Sequence, residues 1–330
     1  MKLVGGHGGY PRHKAHRSAS PAGAKTLAYG RRFRLSGSQR RRHKPPARAG
    51  NDFGACRQDA SMSERIARQF RWVAQIPRPA LLPYVTAGDP ALGDTLDLVE
   101  RMVAAGAEMI ELGVPATDPF ADGPLIQAAH RRALAARAGA RQVLELIAAF
   151  RLRHRDVPLV LTVYAPRLAE LGAAEFLAAA GRAGADAVVI IQPDFEIAAD
   201  LRDACTAAGI AAIPVARIGD APAETQRRIR DAGAFIYCAT VAGPTGTAVP
   251  DASDVAAGIA RLRTLTALPL VAGFGIRTPE LANAIGRVAD GVIVGSALLR
   301  HVEEQRPSAA ADAVVADVVE FASAIRRARF

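Results

Sequence analysis

The chain has 330 residues, of which 50% are hydrophobic, and it carries a formal net charge of +10. Nowhere does it contain the roughly 18 consecutive apolar residues that a membrane-spanning helix requires, and no apolar run follows the basic N-terminus as in a secretory signal. The three cysteines, Cys56, Cys205 and Cys238, have neither a CxxC nor a metal-ligand spacing. These features argue against a helical membrane protein and predict a soluble, cytoplasmic protein without a structural metal.

The positive charge is concentrated in residues 1–61, which hold 14 Lys and Arg against two acids, a net +12 that leaves −2 for residues 62–330. This segment has neither helical nor strand periodicity, so we predict a disordered basic extension that ends at residue 61. Three origins are open: a start codon assigned upstream of the true start at Met62, a cleaved transit peptide, and an arm that touches nucleic acid. Because residues 62–330 are not basic, we expect no nucleic-acid partner for them.

From about residue 63 onward, short apolar runs alternate with longer amphipathic stretches, a pattern typical of repeated βα units. The continuous apolarity of the runs suits strands that are covered on both faces. Eight strands are predicted, over residues 81–85, 109–112, 159–164, 187–191, 212–215, 234–239, 268–272 and 291–294. An extra helix over residues 63–75 and a closing helix over 309–329 complete an α/β fold with a single (β/α)8 TIM barrel over residues 62–330. An open doubly wound sheet is the alternative, but eight units over about 250 residues favour closure.

Two acidic residues flank the loop that follows the second predicted strand, in the segment ELGVPATDPFADGPLIQ of residues 111–127. Glu111 ends an apolar strand, where burial would raise its pKa, whereas Asp122 lies in a polar Gly/Pro turn and should stay ionised. Two carboxyl groups with separated pKa values can serve as a general acid and a general base. The alternative is structural: an ion pair for Glu111, and turn or helix-cap roles for Asp118 and Asp122.

Glycine-containing turns follow the seventh and eighth predicted strands, AGFGI at residues 272–276 and VGSA at 294–297. Thr278 is placed to cap a helix that has Pro279 at its first position. Glycines allow backbone N–H groups to approach an anion, and turns at these two positions are the usual phosphate site of such barrels. The motifs therefore predict a phosphorylated ligand, unless they are only tight turns.

The segment 111–127 resembles the signature ELGxPxSDPxADGPxIQ of the tryptophan synthase alpha chain family, with Thr117 in place of Ser. The first strand, LPYVTAGDP at residues 82–90, is similar to the family's IPFxTAGxP. The resemblance covers about residues 63–300. It implies a lyase of tryptophan biosynthesis, without a cofactor, that cleaves indole-3-glycerol phosphate to indole and glyceraldehyde 3-phosphate. Glu111 matches the family's acid/base glutamate, and Asp122 matches the aspartate that holds the indole N–H.

The resemblance also implies substrate and phosphate contacts near the ends of the last three strands. The segment YCATVAGPTGT of residues 237–247 is similar to the family's closing loop, so Thr245 and Gly246 are expected to contact the phosphate. Tyr237 and Phe274 would border the substrate, although either could simply belong to the core. Together with the turn residues Gly275, Gly295 and Ser296, these residues complete the expected binding site.

Three further positions, after the third, fourth and sixth strands, depart from the family pattern. Pro166 replaces an asparagine after the third strand, Gln192 stands where an aspartate is common, and Thr247 replaces an arginine. Because the loops after the second and third strands face the beta chain in this family, the resemblance implies an α2β2 heterotetramer, and the change at Pro166 falls in a loop that would face the partner. A stand-alone lyase without a beta chain and a non-catalytic phosphate-binding barrel are the alternatives.

Overall fold

The computed structural model describes residues 64–76, 78–240, 249–304 and 307–328. The basic extension and the boundary predicted at residues 61 and 62 lie outside the described residues. Thr245, Gly246 and Thr247 lie outside them as well.

Within the described residues, nine parallel strands form one sheet in the order β5-β4-β3-β2-β1-β9-β8-β7-β6. The strands are β1 (Ala80–Thr86), β2 (Ile110–Gly113), β3 (Leu159–Tyr164), β4 (Ala187–Ile191), β5 (Ala211–Ile213), β6 (Val215–Arg217), β7 (Ile236–Ala239), β8 (Leu270–Gly273) and β9 (Gly291–Val294). The two strands at the ends of this order, β5 and β6, follow each other directly in the chain. The sheet is therefore a nearly closed barrel, which confirms the predicted fold.

The prediction of one continuous fifth strand over residues 212–215 was wrong. Pro214 separates β5, which pairs with β4, from β6, which pairs with β7. Proline has no N–H to donate to a strand ladder, so the hydrogen bonding is interrupted there. Its carbonyl still accepts a hydrogen bond from the Tyr237 N–H, with an N···O distance of 3.0 Å. The hydrogen bonding around the barrel is therefore interrupted between β5 and β6, on either side of Pro214.

Helices surround the barrel. In the described part of the chain they are α1 (Glu64–Gln75), α2 (Thr95–Ala105), α3 (Pro124–Ala135), α4 (Ala140–Arg153), α5 (Ala165–Glu170), α6 (Ala173–Ala183), α7 (Ala199–Ala207), α8 (Pro222–Ile229), α9 (Ala252–Arg263), α10 (Pro279–Gly286), α11 (Ser296–Glu304) and α12 (Pro307–Arg326). The extra N-terminal helix and the closing helix are both present. None of these described helices has the length and apolarity to cross a bilayer.

Acidic side chains connect neighbouring strands at the amino end of the barrel. Each accepts a hydrogen bond from a backbone N–H of the adjacent strand: Glu108 from Leu81, Asp186 from Leu159, and Asp290 from Leu270. Each is also paired with arginine: Glu108 with Arg78, Asp186 with Arg65 and Arg151, and Asp290 with Arg263. Because Arg65 belongs to α1, its bond to Asp186 also attaches the extra helix to the barrel.

Candidate active site

A cavity of about 590 Å³, counting its open mouth, lies at the carboxyl end of the barrel. Its lining includes all seven predicted site residues that the structure describes: Glu111, Asp122, Tyr237, Phe274, Gly275, Gly295 and Ser296. The other lining residues are Tyr84, Ala121, Ile126, Thr162, Tyr164, Val189, Ile191, Ile276 and Ile293. The cavity therefore combines an apolar wall with two acids and a group of hydroxyls.

Glu111 lies within β2 with its carboxyl group buried. The Thr162 hydroxyl, on the neighbouring strand β3, donates a hydrogen bond to Oε1. The other oxygen, Oε2, is buried and has no hydrogen-bond partner among the described residues. Burial raises the pKa of Glu111 to about 7, against the lowering effect of the Thr162 hydrogen bond and with a further rise from the charge of Asp122. The predicted rise of this pKa is confirmed, and no ion pair of Glu111 is found within the described residues.

Asp122 lies in the loop between β2 and α3, with 13% of its side chain exposed. The Tyr164 hydroxyl donates a hydrogen bond of 2.6 Å to Oδ2. Burial raises the pKa of Tyr164, and the charge of Asp122 raises it further, so the phenol keeps the proton that it donates. The backbone carbonyl of Asp122 accepts a hydrogen bond from Gln127 Nε2 at 2.8 Å. The N-cap of α3 is Gly123, so Asp122 does not cap that helix.

A histidine that the sequence analysis did not select lies beside Asp122. His130, on α3, is 2% exposed, and its Nε2 lies 3.6 Å from Asp122 Oδ2. The same atom lies 3.4 Å from the hydroxyl of Tyr84, whose backbone pairs with Glu111 in the register of β1 and β2. Side chains from helix α3 and strand β3 therefore lie beside Asp122.

Two aromatic rings form part of the cavity wall. The rings of Tyr237 and Phe274 meet edge to face, with their centroids 5.5 Å apart. Phe274 has φ +75°, an uncommon backbone conformation for a residue with a side chain, and such strain is concentrated at functional sites. A Cβ on Gly273 would lie 2.5 Å from the Tyr237 hydroxyl, so only glycine leaves room for this ring.

Helix ends and glycines form the side of the cavity at which a phosphate was predicted. Helix α11 begins at Ser296, directly after Gly295, and both residues line the cavity. The first N–H groups of a helix lack intrahelical acceptors and carry partial positive charge, so they suit an anion. The predicted cap of α10 is also present, because the Thr278 hydroxyl accepts a hydrogen bond from Leu281 N–H with Pro279 in the first turn.

Pro166 and Gln192, two of the departures from the family pattern, lie just after β3 and β4. Pro166 is in the first turn of α5, and the next residue, Arg167, donates a hydrogen bond from Nε to the Pro115 carbonyl at 3.1 Å. Gln192 donates a hydrogen bond to the Glu196 carbonyl at 2.8 Å. Among the described residues no three His, Cys, Asp or Glu side chains are grouped as metal ligands.

Comparison with known proteins finds similarity to one family. The family model of the tryptophan synthase alpha chain matches residues 70–328. The tryptophan synthase alpha chain of Rhizorhabdus wittichii is 42% identical over 264 residues, which cover 80% of this chain and 97% of the relative. That of a Caulobacter species is 40% identical over 272 residues, which cover 81% of this chain and 98% of the relative.

Solved structures agree with these sequence relatives. A crystal structure of tryptophan synthase subunit alpha from Legionella pneumophila is similar, with a TM-score of 0.71 and 30% identity, over 79% of this chain and 98% of that chain. A structure of Mycobacterium tuberculosis tryptophan synthase is similar with a TM-score of 0.71 and 25% identity, over 79% of this chain and 98% of that chain.

Proposed function

Since the chain belongs to the tryptophan synthase alpha chain family, which comprises lyases acting on indole-3-glycerol phosphate, we propose that Glu111 and Asp122 carry out the cleavage. One observation carries this proposal. The two carboxyl groups line the same cavity, and the free oxygen of Glu111 is buried there without a partner among the described residues.

The reaction is a retro-aldol cleavage that consumes no water. Indole C3 gains a proton, the bond from C3 to the glycerol chain breaks, and the hydroxyl on the first chain carbon loses its proton to become an aldehyde. We assign both transfers to Glu111, which gives a proton to C3 and takes one from the hydroxyl, so that it ends as it began. Asp122 accepts the hydrogen bond of the indole N–H and stabilises the positive charge that the ring nitrogen gains when C3 is protonated.

The environment of Glu111 suits this double role. A group that must both give and accept a proton works best with a pKa near the operating pH, and burial raises the pKa of Glu111 to about 7. The Thr162 hydrogen bond holds Oε1, which leaves Oε2 as the oxygen available to the substrate.

The remaining cavity wall supplies binding. We propose that Tyr237 and Phe274 border the indole ring and that the phosphate lies at Gly275, Gly295 and the N-terminus of α11. Thr245 and Gly246 remain predicted contacts on the resemblance alone.

Membership of this family implies a beta-chain partner. We propose an α2β2 heterotetramer in which the loop after β2 and the helix after β3 contact the beta chain. The hydrogen bond from Arg167 to the Pro115 carbonyl supports this, because it joins the two segments into one surface.

Indole release from indole-3-glycerol phosphate tests the proposal. The full chain and a chain beginning at Met62 are assayed with and without a tryptophan synthase beta chain. We expect weak cleavage alone and a large gain when the beta chain is added. Turnover that is high alone and unchanged by the beta chain would favour a stand-alone lyase, and ligand binding without indole release would favour a non-catalytic barrel.

Two variants test the assigned residues. Glu111→Gln should abolish turnover while leaving substrate affinity largely unchanged, since it removes proton transfer without removing volume. Asp122→Asn should also reduce turnover strongly, with some loss of affinity. Wild-type turnover in Glu111→Gln would show that Glu111 is not the proton donor.

A further inference from the structure

His130 has a fixed proton arrangement. Its Nδ1 lies 3.0 Å from the backbone nitrogen of Ala116, which donates a hydrogen bond to it. A ring nitrogen that accepts a hydrogen bond carries no proton, so a neutral His130 must have its proton on Nε2.

The protonated Nε2 has two oxygen neighbours, the Tyr84 hydroxyl, to which it is hydrogen-bonded, and Asp122 Oδ2 slightly farther away. The Nε2–Oδ2 distance of 3.6 Å is slightly longer than a hydrogen bond, and such contacts in ligand-free sites often shorten when the substrate binds. The Tyr84 hydroxyl, 3.4 Å from Nε2, is itself 3.1 Å from the Thr86 hydroxyl. Burial raises the pKa of Tyr84, and the charge of Asp122 raises it further, so this phenol stays neutral as well.

Asp122 Oδ2 is thus approached from two sides, by the Tyr164 hydroxyl and by His130 Nε2. The ring of Tyr164 also packs edge to face on that of His130, with centroids 6.0 Å apart. These two contacts to one oxygen restrict rotation of the Asp122 carboxylate, which lines the cavity.

We propose that His130 is a positioning residue, a neutral imidazole with its proton on Nε2 that orients the Asp122 carboxylate toward the indole N–H. This inference rests on the proposed role of Asp122. His130 does not line the cavity, so it acts through Asp122 and not on the substrate. The ordinary alternative is that His130 only supports the loop through its bond to Ala116.

Two substitutions separate these roles. In His130→Gln the side-chain amide can reach the place of Nε2 and donate to Asp122. In His130→Asn the shorter side chain can accept from Ala116 but cannot reach Asp122. If His130 positions Asp122, His130→Asn should lower kcat by about 10- to 100-fold, the usual range for a residue that orients an active-site group, whereas His130→Gln should stay within about 3-fold of wild type.

The dependence on Asp122 is tested in the full chain with the Asp122→Asn substitution already present. There, adding His130→Asn should change kcat by less than about 2-fold, because the group it orients has lost its charge. An equal loss in both backgrounds, or wild-type kcat in His130→Asn, would overturn the proposal. Wild-type kcat in Asp122→Asn alone would instead refute the proposed function.

A measurement on the unsubstituted protein keeps the inference testable if the variants do not fold. Neutron diffraction from wild-type crystals locates the hydrogen atoms of the ring directly. We expect one on Nε2 and none on Nδ1. A hydrogen on Nδ1, in either the other tautomer or an imidazolium, would contradict the proposal whatever the variants show.

Discussion

The buried carboxyl group of Glu111 should make the protein less stable at alkaline pH, and removing it should make the protein more stable there. In the unfolded chain the pKa of this group is near 4.5, whereas in the folded chain burial raises it to about 7. Between these values the folded state holds a proton that the unfolded state releases, so stability falls as the pH rises through this window. At about 1.4 kcal/mol per pH unit, the full penalty above pH 7 is about 3 kcal/mol at most.

Glu111→Gln keeps the volume and cannot ionise. We expect its free energy of unfolding, measured by urea denaturation, to exceed that of wild type by up to about 3 kcal/mol at pH 8, and the difference to shrink towards pH 4.5. Glu145→Gln is the matched control, because Glu145 is exposed and should show no such pH-dependent difference. A difference in the free energy of unfolding between Glu111→Gln and wild type that stays constant across this pH range would refute the claim that ionisation of the buried Glu111 destabilises the folded state.

Two further predictions concern hydrogen bonds to acids. Thr162→Val removes the hydrogen bond that favours the ionised form of Glu111, so the pKa of Glu111 should rise. The limb of the pH–turnover profile that reports Glu111 should therefore move to higher pH by about one unit. A limb that does not move, or that moves to lower pH, would contradict the assignment. Arg65→Met removes one of the two arginines on buried Asp186 and should lower the free energy of unfolding by about 1 to 2 kcal/mol, whereas Arg68→Met, in an exposed pair, should cost less than about 0.5 kcal/mol. Equal losses from the two arginine variants would show that burial of the partner is not what matters.

Apolar continuity was enough to locate the barrel strands. The bounds of β3, β4 and β9 agree with the predicted runs, because strands covered on both faces are hydrophobic from end to end. The fifth run failed for a local reason. Pro214 lies within a run of four residues, 212–215, that reads as continuously apolar. Only the pairing partners in the structure, β4 before the proline and β7 after it, show that this run contains two strands.

The candidate site was predicted in part. Glu111 and Asp122 stand out because acids are unusual at the end of an apolar strand and in a Gly/Pro turn. Thr162 and His130 were missed, since a threonine in a strand and a histidine on a helix are ordinary features whose proximity to the acids depends on register and packing. One sequence signal of these polar contacts was present. Tyr84 stands where the family motif has phenylalanine, so the strand that pairs with Glu111 carries a hydroxyl that the motif lacks.

The three acids that link neighbouring strands at the amino end of the barrel have a consequence for how this protein can be altered. These hydrogen bonds hold neighbouring strands together at the end of the barrel opposite the cavity, and none of them involves a residue that lines the cavity. Loops on the cavity side can therefore be exchanged or lengthened without releasing the strands from register. New substrate preferences are best sought by redesigning the cavity-side loops alone.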